Sequence, residues 1–107
     1  EDGSIYTPVK PFEISWRSLL PKAAEADNLL VPVALSASHV AFSGIRVEPV
    51  WMILGQACGV AAAMSLSSKK LLHELPADKL QTELVKQGQV VDARQFNEVW
   101  PTKAKTK

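Results

Sequence analysis

Pro49 to Leu66 is a run of eighteen residues without a charge, PVWMILGQACGVAAAMSL. As a helix it is about 27 Å long. Proline suits the first helical position, where its missing N–H would have had no partner. Glu48 before it sets a carboxylate at the positive end of the helix dipole. A segment of this kind either crosses a membrane or lies buried in a soluble protein. The first needs about 20 apolar residues, and Gly55 and Gly59 have the spacing that lets membrane helices touch. The second is favoured: Gln56 lies near the middle, and much of the run is Ala and Gly, which gains little from lipid but permits close packing. Gly55, Gly59 and Ala62 or Ala63 form a stripe of small residues, while Val50, Ile53, Leu54, Val60 and Met64 cover much of the rest. A helix apolar nearly all round must be covered nearly all round, and the rest of a 107-residue chain is short for that task. The chain is therefore expected to be incomplete as a domain.

The flanking sequence supplies the expected context. Ser4 to Ser15 reads as extended, with Phe12 and Ile14 alternating with Glu13 and Ser15. Ala23 to Ala26 is expected to form one helical turn. Asn28 to Leu35 is nearly all apolar and suits a strand buried on both faces, with Pro32 removing one ladder donor. Ser36 to Glu48 reads as a serine- and glycine-rich loop. Pro76 to Gln87 reads as an amphipathic helix with Leu80, Leu84 and Val85 on one face, ended by Gly88. Gln89 to Val91 is a candidate short strand, and Phe96, Val99 and Trp100 a docked last turn. The expected class is α/β, with an extended segment over residues 1–21, a strand–loop–helix unit over 22–66, a helical extension over 67–100 and a disordered basic tail over 101–107.

Charge narrows the partners. Twelve Lys and Arg against eleven Asp and Glu give +1, but three lysines lie in the last five residues. Residues 1–100 carry nine basic and eleven acidic groups, a net of −2, which excludes a general nucleic-acid footprint. Cys58, the single cysteine, excludes a disulfide framework or a cysteine-built metal site within this chain. It reads as a small buried residue. His73 reads as a surface residue, Arg17 as a surface charge, and Trp16, Trp51 and Trp100 as core. No metal site is expected.

Several motifs then fall in order: Arg17-Ser18-Leu19-Leu20-Pro21-Lys22, Asp27-Asn28-Leu29-Leu30-Val31, Ser36-Ala37-Ser38-His39-Val40-Ala41, Ile45-Arg46-Val47-Glu48-Pro49, and Gly55-Gln56-Ala57-Cys58-Gly59 with the valine and alanines after it. From about Tyr6 to Val91 the chain resembles the C-terminal region of the bacterial FAD-dependent oxidoreductase family. The resemblance implies a glutathione-reductase-like, Rossmann-like FAD fold whose pyrophosphate loop lies in the remainder of a parent flavoenzyme chain, since no G-x-G-x-x-G occurs here. It also implies that the long helix aims its N-terminus at the flavin. Ser43, Gly44, Ile45, Arg46, Val47 and Val50 would then line the cofactor, with the N–H groups of Val47, Val50 and Trp51 as donors. His39 and Arg46 would be catalytic, His39 as a proton donor or acceptor and Arg46 as a positive charge. Arg17 would face the substrate, a small molecule. The family pattern has Gly then Ser before Ile-Arg, whereas here Ser43 precedes Gly44. The alternative is a non-catalytic fragment that acts only as a packing or interaction module. A membrane partner is not expected.

Overall fold

The computed structural model describes residues 11–96. Three α-helices run through it: α1 (His39–Ile45), α2 (Glu48–Ser68) and α3 (Ala77–Lys86), with short 3-10 turns at Trp16–Leu19, Leu72–Glu74 and Ala93–Phe96. Among the described residues there is no strand, so the α/β expectation is overturned. Asn28–Leu35 is irregular. A strand buried on both faces needs neighbouring strands, and here none is present. Val31 N–H bonds to the Leu19 carbonyl (2.9 Å) and Ser36 N–H to the Ser18 carbonyl (2.8 Å), but these two bonds do not make a ladder. Leu29 and Val33 are exposed, while Leu35 is buried. Gln89–Val91 likewise forms no strand: Gln89 N–H closes on the Leu84 carbonyl at 2.9 Å.

Ser36–Glu48 is not simply a loop, because it contains α1. Ser38 is the reason: its hydroxyl accepts from Ala41 N–H at 3.2 Å, satisfying one of the orphan donors of the first turn. Ala23–Ala26 forms a turn, with Glu25 and Ala26 N–H groups on the Lys22 carbonyl. Of the extended reading of Ser4–Ser15, residues 4–10 lie outside the described residues, and Pro11–Ser15 forms no strand, with Phe12 exposed. Phe96 does end a 3-10 turn but is exposed, and Val99, Trp100 and the lysine tail lie outside the described residues.

The long apolar run is the helix α2, as the sequence requires, with Val47 as N-cap and Pro49 in the first turn. Lys69 ends it in a left-handed conformation (φ 55°), and Lys70 N–H bonds back to the Ser65 carbonyl at 3.2 Å. The reversal lets Leu72 and Leu75 fold under the helix. With Leu80 and Leu84 of α3 they bury Ala57 and Ala61. A second cluster joins Leu54 and Cys58 to Leu19, Leu35 and Ile45, with Phe42 of α1 packed against it. Trp16 and Leu30 touch both clusters.

The amphipathic reading of α3 holds for Leu80 and Leu84, but Val85 is exposed. At 100° per residue Val85 lies well round the helix from Leu80, off the stripe that Leu80 and Leu84 define. Gly88 (φ 86°) ends the helix in the region where a Cβ is strained. Three glutamines tie this end to α2: Gln89 Nε2 donates to the Ile53 carbonyl and to Gln56 Oε1, both at 3.0 Å, and Gln56 Nε2 donates to Gln87 Oε1 at 3.2 Å. Gln56 thus has polar partners within an otherwise apolar helix.

α2 is long and apolar enough to cross a membrane by length and composition, with 22% of that window buried. It is covered on one side only. Met52 is 76% exposed and Leu66 82%, and a Cβ placed on Gly55 or Gly59 meets nothing within 4 Å.

Leu84→Ala is expected to cost about 2–5 kcal/mol, whereas Val85→Ala stays within about 0.5 kcal/mol. Lys69→Gly is expected to gain about 1 kcal/mol by removing the left-handed penalty. Chemical denaturation of the three variants measures all of this.

Candidate functional site

The candidate residues gather where α1 ends and α2 begins. Ser43, Gly44 and Ile45 form the last turn of α1, Arg46 is its C-cap, and Val47 caps α2. His39 starts α1, so it lies about 10 Å from Arg46 along the axis. The positions 39, 43 and 46 share one side of α1, and all three residues are exposed. Ser43 Oγ donates to the His39 carbonyl at 3.1 Å. Ile45 is buried in the core and Val50 is packed against it, so these two hold the junction and leave only backbone for a ligand.

Gly44 has a specific reason to be glycine. A Cβ there would stand 3.1 Å from the Phe12 ring. The relevant property is close approach, because Gly44 is helical. Reversal of the expected Gly-Ser order therefore places the small residue beneath an aromatic ring.

The backbone donors are mostly spent inside the protein. Val47 N–H bonds to the Ile45 carbonyl (2.7 Å), and Val50 and Trp51 N–H groups both bond to the Val47 carbonyl (3.0 and 3.2 Å). Among the described residues the Glu48 N–H at the start of α2 has no acceptor. Arg46 and Glu48 form no ion pair there either. Arg46 adds a cation at the negative end of α1, and Glu48 an anion at the positive end of α2, each on its favourable side.

Trp51 adds an unexpected element. Its indole Nε1 is buried without a hydrogen-bond partner among the described residues, in the first turn of α2. Beside that turn lies a cleft of about 770 Å³, lined by Phe12, Trp16, Arg17, Val50, Ile53 and Leu54 among others. Sequence reasoning missed this cleft. Its signal was two aromatics and an arginine within six residues, Phe12 to Arg17, but periodicity alone does not show which element they face.

His73 departs from its expected surface role. It is half-buried, and one ring nitrogen, Nε2, lies 2.8 Å from the Pro21 carbonyl, which makes that nitrogen the donor. Cys58 is buried as expected, and burial raises its thiol pKa. Trp16 and Trp51 are half-buried; Trp100 lies outside the described residues.

The chain matches the family model for FAD dependent oxidoreductase over residues 1–84. It belongs to that family. The match spans the junction, all of α2 and α3 as far as Leu84. No curated protein and no solved structure matches the chain. The family's cofactor is FAD. The Glu48 N–H and the exposed Arg46 guanidinium at the junction are donors of the kind that an electron-rich carbonyl edge accepts from. No described segment has the glycine-rich cradle that a pyrophosphate requires.

Away from the junction, Arg94 grips Asp92 at 2.8 Å, and Ala93 N–H donates to Glu13 Oε1 at 3.2 Å, tying the segment before Trp16 to the 3-10 turn at Ala93–Phe96. The Arg94 side chain and then its backbone N–H hold the Asp92 carboxyl down at about 2. A lowered folded pKa means that this contribution is complete above the ordinary value of 3.8 and is lost as pH falls through about 2. An NMR titration of Asp92 is expected to show the depressed midpoint, and Arg94→Ala to return it to the usual carboxylate range. Cys58 is expected to resist iodoacetamide in the folded chain and to react once the chain is unfolded, as mass spectrometry of the two samples would show.

Proposed function

We propose that this chain is the C-terminal part of an FAD-dependent oxidoreductase, in which Ser43–Pro49 and the start of α2 complete the flavin site. The observation that carries this reading is the Glu48 N–H, left without an acceptor at the positive end of a 21-residue helix, beside an exposed Arg46. FAD, when bound, would supply the capacity to take a hydride or electrons from a small-molecule substrate, with negative charge at its ring edge.

The chain's own groups answer that charge. Glu48 N–H donates a hydrogen bond from a fixed backbone position, so no reorganisation is needed when the charge appears. The Arg46 guanidinium stabilises the same charge over a longer range. Glu48 carries the opposite sign close by, so the net side-chain charge of the junction is zero and the oriented backbone makes the difference. His39, exposed at the start of α1, would in this reading exchange a proton with the substrate. Val50 and Ile45 keep the two helix ends in register by packing on the core. The pyrophosphate and adenosine would be held by the remainder of the parent chain, which this reading requires as a partner.

A second reading has its own support. The outer face of α2 is bare, and most N–H groups at its start are internally bonded. Both features suit a chain whose task is packing rather than chemistry.

In the full-length flavoenzyme, Arg46→Ala is expected to slow anaerobic flavin reduction about 10- to 100-fold, the value of one lost charge-assisted contact, while FAD content is kept. His39→Ala is expected to alter the pH profile of the substrate half-reaction. Stopped-flow traces that match the wild type in both variants would overturn the assignment. The isolated 107-residue chain is expected to show no micromolar FAD binding by calorimetry.

A further inference from the structure

The cleft beside the first turns of α2 differs from the outer face of that helix, because this chain walls it on several sides. Val50, Ile53, Leu54 and Ala57 line it from α2 at helical spacing, and Leu80 and Leu84 line it from α3. Phe12 and Trp16 close it from the segment before α1, and Phe96 from the last 3-10 turn. Two bonds hold these walls together: Gln89 Nε2 donates to the Ile53 carbonyl at 3.0 Å, and Ala93 N–H to Glu13 Oε1 at 3.2 Å. The volume of about 770 Å³ falls within the range of small-molecule sites, about 300–1,000 Å³.

Among the described residues two charged side chains line the cleft, Glu13 and Arg17. The Glu13 carboxylate is engaged, since it accepts from Ala93 N–H. Arg17 forms no ion pair among the described residues, and it is exposed, so its guanidinium stands at the rim. A guanidinium offers a carboxylate two parallel N–H donors. An apolar interior with one such cation at its mouth is complementary to a guest that has an apolar body and one carboxylate.

The cleft also adjoins the α1–α2 junction. Phe12 lines it, and the same ring lies 3.1 Å from where a Cβ on Gly44 would stand. Val50 lines it from the first turn of α2. One aromatic ring is thus a wall common to the cleft and to the junction.

We propose that this cleft binds an apolar monocarboxylate, anchored by Arg17, as the substrate of the flavin site. The role of that guest as substrate rests on the flavin reading above; its capture by the cleft does not.

Titration of the 107-residue chain with 4-phenylbutyrate tests this, read by ligand-observed NMR and by tryptophan fluorescence, since Trp16 lines the cleft. The acid is expected to bind with a Kd of about 1 mM or below, and about tenfold more tightly than 4-phenylbutan-1-ol, which lacks the charge. Arg17→Gln is expected to erase the difference between acid and alcohol, and Arg17→Lys to keep part of it. Ile53→Trp, at a half-exposed position of the cleft, is expected to exclude both probes while circular dichroism shows an intact fold. In the FAD-loaded full-length enzyme the acid is expected to shift the visible flavin spectrum, and to leave it unshifted in Arg17→Gln. A chain that binds neither probe, or both equally, would overturn the proposal, as would a preference that survives Arg17→Gln. Binding untouched by Ile53→Trp would do the same. So would acid binding in the full-length enzyme without a change in the flavin spectrum. Unchanged flavin reduction in Arg46→Ala overturns the flavin reading, and it is told apart from these outcomes because capture of the acid by the isolated chain is then intact.

Discussion

The structure depends on the close packing of α2 against α3 and the turn at Leu72–Glu74. The contact is asymmetric in size. α2 contributes alanines, Ala57 and the fully covered Ala61, and the opposing elements contribute leucines: Leu72, Leu75, Leu80 and Leu84. Small residues on one helix let the leucines of the other reach its backbone. The arrangement also requires the chain to reverse within a few residues after Ser68, and Lys69 provides this by adopting a left-handed conformation. The second cluster, around Leu54 and Cys58, holds α1 on the neighbouring side of the same helix. α2 is therefore the common wall of both clusters, and the position of every candidate site residue follows from it.

Parts of this arrangement were legible in the sequence because they rest on local rules. An uncharged span opened by Glu48-Pro49 had to be a helix. Pro76 and Gly88 bracket α3 through backbone chemistry that no distant contact can change. Cys58 among alanines and glycines was expected to be buried, and it is. The junction residues were adjacent in sequence, so their adjacency in space was assured.

The failures have a common cause. Asn28–Leu35 has the composition of a central strand, but composition cannot provide the neighbouring strands that such a segment needs, and the described residues contain none. Leu35 is buried while Leu29 and Val33 are not, so the run serves as an irregular strap over two helices. Ser36–Glu48 looked like a loop because serine and glycine are poor helix formers, but one hydroxyl, that of Ser38, was enough to start α1. Val85 is apolar and so suits a buried face by composition, but its angle round the helix takes it away from Leu80 and Leu84 and leaves it exposed. The fate of His73 depended on Pro21, fifty-two residues away, a pairing that sequence spacing does not encode. Family membership was legible because motif order survives where strand and loop assignments do not.

The glutamine cluster has a mechanical consequence. Gln89 grips both a side chain and a main-chain carbonyl of α2, and it lies directly after the glycine that ends α3. Fraying of the last turn of α3 would break the glutamine bonds to the middle of α2, which couples the opening of the two helices at this point. Amides near Ile53 and near Leu84 would exchange their hydrogens in a coupled way, and the polar patch inside the apolar span acts as the fastener that joins them.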